Sequence, residues 1–227
     1  LMELNNDFTQ RVAVHAASQD WLASPIAGVE RRMLDRIGDE IARATSIVRY
    51  APNSYFSPHV HTGGEEFLVL EGVFQDEHGD FPAGSYIRNP PESSHTPGSE
   101  HGCVIFVKLW QFDLADRTDL RIDTTELPYA PVTDRPGVGV KELFIDQREK
   151  VSLEHWAAKT QIILSSNHGI EILVTDGSFS ENGEVFKAQS WLRLPPGSQA
   201  NIYAGAQGTS VWIKEHLEPV SAIAPKS

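Results

Sequence analysis

An internal repeat constrains the fold of this chain more than any other feature of its sequence. Aligned without a gap at a constant offset of 105 residues, the segments 66–95 and 171–200 are identical at 12 of 30 positions. The shared residues are mainly Gly, Pro and alternating apolar side chains, which specify backbone turns and one buried sheet face. A chain of 227 residues with such a repeat is expected to fold as two similar units.

Short apolar runs in both halves indicate β-structure. These runs are rich in Val, Ile and aromatic side chains, and Gly, Pro, Asn and Asp separate them. This rhythm is typical of an antiparallel barrel or sandwich. Helical periodicity is nearly absent, and the one weak candidate, at 38–44, fits a strand equally well. The sequence therefore predicts an all-β fold.

The repeat also predicts the domain limits. Its similarity extends upstream, because the segment 28–35 resembles 139–146. Each half is therefore a whole unit, and the junction is expected within 112–118. We predict an N-terminal domain at 8–115 and a C-terminal domain at 116–220.

Composition limits the classes of partner. The formal net charge of −12 and the pI near 5.1 argue against a nucleic-acid or anionic-membrane surface, since both need clustered Lys and Arg. No stretch approaches the roughly 20 apolar residues of a membrane span, and the polar segment 3–10 does not resemble a secretory signal. The single cysteine, Cys103, is interpreted as a small buried apolar residue. We expect a cytoplasmic protein that binds neither nucleic acid nor membrane.

The two halves differ at four positions that matter for chemistry. In the first half these positions hold potential metal ligands, namely His59, His61, Glu65 and His95. In the second half the same positions hold Leu164, Ser166, Ile170 and Ala200. The sequence therefore predicts one metal site per chain, in the first unit, and a second unit whose interior is apolar and closed to ions, packed by Phe179, Phe186 and Trp191.

The spacing of the four candidate ligands fits a metal site inside a barrel. Residues two apart on a strand point the same way, so His59 and His61 can face one interior. The Thr-Gly-Gly sequence at 62–64 provides a turn before Glu65, and His95 follows a separate turn. Three imidazoles and one carboxylate suit a borderline divalent ion and leave one or two coordination positions open.

The choice between two adjacent carboxylates follows from the repeat. Glu65 and Glu66 point to opposite faces of a strand. Glu66 recurs as Glu171 in the half without histidines, whereas Glu65 is replaced by Ile170. We therefore predict that Glu65 is the metal ligand and that Glu66 has a structural role. The aromatic residues Tyr55, Phe67 and Tyr86 are interpreted as packing residues.

These residues resemble a known family. The pattern His-x-His-x3-Glu-x6-Gly at 59–72 and the pattern from Gly84 to His95 resemble the two sequence motifs of the cupins. The flanking residues 65–79 and 106–108 are similar to the cupin-like domain of ChrR anti-sigma factors. The resemblance implies two tandem cupin barrels of the RmlC-like jelly-roll type. It also implies a metal inside the first barrel, held by His59, His61, Glu65 and His95.

The chain departs from the family pattern in two respects. Glu92 stands where the second cupin motif usually has glycine, which is not a ligand position. The helical zinc-binding domain with which ChrR proteins capture a sigma factor has no counterpart before His59. Binding of a sigma factor is therefore not implied.

Three functions remain open from the sequence. The first is a sensory or binding module that holds one divalent metal, zinc according to the resemblance, and recognises a small-molecule ligand or an oxidant. The second is a dioxygenase with iron or manganese acting on a small diketone-like or enediol-like substrate. The third is a metal-free sugar epimerase of the same fold. A homodimer is a possible assembly in each case.

Overall fold

The computed structural model describes residues 2–225 and consists mainly of β-strands. About 58% of the residues are in strands and 3% in helix, which confirms the all-β prediction. The weak helix candidate is a hairpin instead, because one strand ends at Gly38 and the next begins at Ala42. Short 3₁₀ helices span Ala16–Ser18 and Thr124–Glu126. None of the described residues forms a helix long and apolar enough to cross a membrane.

The strands are numbered here in chain order. Those of the first part of the chain are β1 (Glu3–Leu4), β2 (Val12–His15), β3 (Leu22–Ala23), β4 (Val29–Gly38), β5 (Ala42–Tyr50), β6 (Ser54–Tyr55), β7 (His59–His61), β8 (Glu65–Asp76), β9 (Gly79–Pro82), β10 (Ser85–Asn89), β11 (Ser93–His95), β12 (Gly98–Ser99), β13 (Cys103–Leu109) and β14 (Leu120–Asp123). Those of the second part are β15 (Ala130–Pro131), β16 (Val138–Ile145), β17 (Glu149–Trp156), β18 (Gln161–Ser165), β19 (Ile170–Glu181), β20 (Glu184–Lys187), β21 (Ser190–Leu194) and β22 (Gln199–His216).

The strands form two sheets and a ribbon. The first sheet has the order β1-β4-β5-β13-β8-β10-β14, with β3, β6, β9 and β12 attached to it, while β7 and β11 form the separate two-stranded ribbon. The second sheet has the order β15-β16-β17-β22-β19-β21-β2, with β18 and β20 attached. Pairing between the described strands is antiparallel throughout.

The chain forms two compact units whose limits differ from the sequence-based ranges 8–115 and 116–220. Most of the first unit is 20–126, and most of the second is 127–222, but residues 7–19 belong to the second unit. The cause is strand pairing: β2 pairs with β21, whereas β14 pairs with β10. Each pairing satisfies backbone groups that an edge strand would otherwise expose.

The repeat in the sequence is a repeat of strands. The strands β8, β9 and β10 recur as β19, β20 and β21 with the same lengths and the same offset. Gly72 and Gly177 occupy equivalent points and both have φ of 71°. A Cβ at either position would lie 2.2 Å from a carbonyl oxygen, that of Gly102 or Gly208. The repeated glycine is therefore required by a close approach of two backbone segments.

The core of the first unit includes the single cysteine. Its apolar cluster consists of Val48, Phe67, Val69, Phe74, Ile87, Cys103, Ile105 and Val107. Cys103 is buried, as its interpretation as a small apolar residue required. Burial raises the pKa of its thiol to about 11, so the thiol is protonated and unreactive at neutral pH.

Candidate metal centre

Two short elements bring the three predicted imidazole ligands together. In the ribbon of β7 and β11, His95 lies opposite His59, and Ser93 lies opposite His61. The next strand, β8, begins at Glu65. The register of the ribbon therefore gathers residues that are more than 30 positions apart in the sequence.

The turn at 62–64 requires glycine at both 63 and 64, because aromatic rings pack directly against the backbone there. A Cβ at Gly63 would be 2.0 Å from the ring of Trp110, and one at Gly64 would be 2.4 Å from Phe112. Gly64 also has φ of +81°, a conformation that side chains disfavour. The glycine pair lets the chain pass beneath the rings and deliver Glu65 next to the histidines.

Four potential donor side chains converge on one region. One nitrogen from each of His59, His61 and His95 lies within 4.8 Å of the other two. The Nε2 atoms of His61 and His95 are 2.8 Å apart, and Glu65 Oε1 is 3.5 Å from the first and 3.8 Å from the second. Ligands about 2.1 Å from one metal ion are separated from each other by roughly 3.0–3.4 Å. The separations among His61, His95 and Glu65 are close to this range, and the cluster with His59 is a candidate site for a divalent ion.

One side of the cluster is open to solvent. His61, Glu65 and His95 are buried, with 8%, 8% and 4% of their surface exposed, whereas His59 is exposed. The buried side chains can hold an ion firmly, while the side of His59 leaves room for water or a small ligand to reach it.

Hydrogen bonds behind the donors fix their orientation. Asn89 Nδ2 donates to Glu65 Oε1 at 3.2 Å. His95 Nδ1 lies 3.2 Å from Asp76 Oδ2, and His59 Nδ1 lies 3.3 Å from the carbonyl oxygen of Ser57. Both acceptors require a proton on Nδ1, which leaves the Nε2 lone pairs free for a metal.

The electrostatic surroundings differ between the two buried imidazoles. Burial lowers the pKa of His61, and the nearby Glu65 only partly offsets this effect. Burial also lowers the pKa of His95, but its hydrogen bond to Asp76 and nearby carboxylates reverse the direction, so the pKa is raised. His61 is thus kept neutral at neutral pH, which is the form that binds metals. The pKa of the Tyr50 hydroxyl is raised by burial and by Glu65.

The neighbouring carboxylate, Glu66, faces away from the imidazoles. It accepts hydrogen bonds from Arg88 Nη1 at 3.1 Å and from the Tyr86 hydroxyl, and all three residues are buried. Glu65, and not Glu66, therefore lies beside His61 and His95. That Glu65 is a metal ligand stays a prediction.

Sequence reasoning missed Asn89 and Asp76, the two residues that support the donors. Asn89 is replaced in the repeat by Leu194, so it is lost together with Glu65, and this signal could have identified it. Asp76 corresponds to Glu181, which is bonded to Arg11 in the second unit. Because the repeat keeps a carboxylate there, it gives no sign that Asp76 serves the histidines.

The second unit has a hydrocarbon core where the first has donors. Leu164, Ile170 and Ala200 lie in one buried apolar cluster that also contains Phe179 and Phe186. Burial of a Leu or Ile side chain stabilises the fold by roughly 1.5–3 kcal/mol, so apolar packing stabilises the second unit at these positions.

One packing residue of the second unit was assigned to the wrong face. Trp191 is fully buried but lies outside the apolar cluster, to which Leu192 and Leu194 contribute. Alternation along β21 sends its side chain to the opposite face, where it lies beside Arg193 at 5.5 Å.

A groove of about 280 Å³ lies beside the cluster. Tyr55, Phe56, Asp76 and Thr96 are among the residues that line it. The interpretation of Tyr55 as a packing residue is wrong, because 71% of its surface is exposed. Phe67 and Tyr86 are buried, as predicted. Tyr55 lies on a two-residue strand at the edge of the sheet, which cannot cover a large side chain.

Comparison with solved structures identifies the fold. A proposed dioxygenase from Nostoc punctiforme is 13% identical, with a TM-score of 0.72 over 96% of this chain and 88% of that one. The pirin YhhW of Escherichia coli in complex with nickel(II) is 13% identical, with a TM-score of 0.69 over 93% and 100%. A cupin 2 conserved barrel domain protein from Leptotrichia buccalis is 10% identical, with a TM-score of 0.60 over 90% and 96%. The chain has the cupin fold, in two tandem jelly-roll barrels.

The family of the N-terminal part follows from its sequence. Residues 9–113 match the ChrR cupin-like domain, which confirms the resemblance seen in the motifs. The chain therefore has the cupin fold, and its first barrel is similar in sequence to the ChrR cupin-like domain. A search of curated proteins gave no match.

Proposed function

We propose that the first barrel binds one divalent metal ion through His59, His61, Glu65 and His95, and that this metal holds a small-molecule ligand or an oxidant. The observation that carries the proposal is the convergence of three imidazole nitrogens within 4.8 Å of one another. Zinc is the ion favoured by the ChrR resemblance, while a similar fold in the pirin structure contains nickel. The protein is proposed to act in the cytoplasm as a binding or sensory module.

The residues of the chain define what such a site can bind. A metal held there supplies Lewis-acid coordination to an oxygen of its ligand. The buried His61, Glu65 and His95 keep the ion in place, and the exposed His59 marks the side from which a ligand approaches. A small molecule with a carboxylate, enolate or peroxide oxygen matches this arrangement.

Thermal unfolding with and without metal tests the binding function. The purified protein is loaded with zinc, iron(II), manganese or nickel and screened against small carboxylates, diketones and peroxide. We expect a rise in melting temperature that requires both the metal and one class of ligand, because binding to the native state stabilises it. The His61→Ala variant is the control and should show no ligand effect. A ligand effect that persists in this variant would place binding elsewhere.

A second function, dioxygenase activity, is supported by the chemistry of the donors. Three imidazoles and a carboxylate with an open position suit iron or manganese and dioxygen. The Nostoc structure, with the same fold, is a proposed dioxygenase. Oxygen uptake with a β-diketone or an enediol, dependent on the metal and on His61, would establish an enzyme. Saturable ligand binding without oxygen uptake would support the binding module.

A further inference from the structure

His95 has a carboxylate directly behind it. Its Nδ1 lies 3.2 Å from Asp76 Oδ2, and its Nε2 faces His61 at 2.8 Å. Since an ionised carboxylate only accepts hydrogen bonds, the Nδ1 of His95 must carry the proton. The Nε2 of a neutral His95 then directs its lone pair into the space between the candidate ligands.

Asp76 is itself held in a fixed position. It is the last residue of β8, and only 3% of its side chain is exposed. Its second oxygen, Oδ1, accepts the backbone N–H of His78 at 2.8 Å. The ring of Phe74, which lies on β8 like Asp76, is 5.9 Å from the ring of His95 on β11. A carboxylate anchored in this way can orient the imidazole as well as fix its protonated nitrogen.

We propose that Asp76 is the positioning residue of the metal site, which holds His95 as the tautomer and in the orientation that binds the ion. The proposal rests on the metal binding proposed above. A carboxylate that accepts the outer N–H of a ligating histidine fixes the ring and increases the basicity of the ligand. Asp76 thereby acts through His95 without contacting the metal.

The variant Asp76→Asn tests this role, because it removes the negative charge and keeps the shape of the side chain. The amide leaves one oxygen for two N–H donors, so we expect metal affinity, measured by competition with a chromophoric chelator, to fall roughly 10- to 100-fold. Asp80→Asn is the matched control, since Asp80 is an exposed carboxylate close in sequence that bonds Gln75. The control should bind metal like the wild type. Equal losses in both variants, or none in either, would overturn the proposal.

A second readout is independent of metal binding. Long-range ¹H–¹⁵N spectra of the metal-free protein report which nitrogen of His95 is protonated, with His95→Ala used for assignment. We expect protonation on Nδ1 in the wild type and in Asp80→Asn, and a mixture of tautomers in Asp76→Asn. A wild type protonated on Nε2 would refute the positioning role. If the tautomer is as expected but the wild type binds no metal, the proposed function fails and the contact is only structural.

Discussion

The side chains of the candidate metal centre differ in how firmly the protein holds them. His61 and His95 are buried and face each other, whereas His59 is exposed at the rim. Glu65 is fixed by Asn89. The buried residues are therefore expected to determine the affinity for metal, and the exposed one the access of ligands.

Single substitutions should separate ligands from neighbours. We expect His61→Ala and His95→Ala each to lower bound metal more than tenfold after gel filtration, since each removes one of four donors. Glu65→Gln should also lower it, whereas Glu66→Gln should leave it nearly unchanged. Metal analysis by mass spectrometry measures all four. Equal loss in the two glutamate variants would contradict the assignment of Glu65.

The residues of the site could be predicted from the sequence only where the repeat shows a contrast. Glu65 was distinguished from Glu66 because its counterpart is Ile170. Asp76 could not be found in this way, since its counterpart, Glu181, is also acidic. Its contact with His95 depends on the end of β8 reaching the ribbon of β7 and β11, which is a tertiary arrangement.

At the scale of elements, two turn glycines of the second unit, Gly177 and Gly197, differ in why glycine is favoured. Gly177 has φ of 71° and a carbonyl oxygen 2.2 Å from where its Cβ would lie. Gly197 has φ of 74° but open space around it, and its counterpart in the first unit is Glu92, with φ of 70°. Glu92 can therefore replace the glycine of the second motif in the first unit, because this position requires a positive φ but leaves space for a side chain.

Two alanine variants test this distinction. Gly197→Ala should cost about 1–2 kcal/mol, the price of a left-handed residue. Gly177→Ala should cost clearly more, because it adds a clash with the backbone of Gly208. Urea denaturation measures both free energies of unfolding. Equal losses of unfolding free energy in the two variants would contradict this distinction, because they would show that the backbone near Gly208 moves away from the new side chain.

The sequence predicted the central strands but not the limits of the units. The apolar runs correspond to strands such as β8, β13, β19 and β22, since alternation and β-branched residues mark them. The strands β2 and β14 are only four residues long and pair with β21 and β10 far along the chain. Such pairings depend on tertiary structure, and local patterns do not reveal them.

At the scale of the whole molecule, the strand pairing predicts which fragments can fold. The fragment 20–126 keeps β14 in the first sheet, whereas 8–115 loses β14 and retains β2 without its partner. We expect 8–115 to aggregate more readily, because unpaired strands expose backbone groups and apolar surface. Both fragments keep every metal donor and lack the second unit. Size-exclusion chromatography with light scattering compares them, and equal solubility would contradict the role of these strands.

The most direct test of the central claim is the number of metal ions per chain. Among the described residues, the buried group of potential donors lies in the first barrel. A second group there, at 76–78, is mostly exposed, and the equivalent positions of the second barrel lie in or beside an apolar core. Metal quantification on protein purified from zinc- and iron-supplemented medium should give about one ion per chain in the wild type and almost none in the His61→Ala/His95→Ala double variant. Two ions per chain, no ion, or one ion that remains bound in the double variant would contradict the claim that the first barrel holds a single metal site.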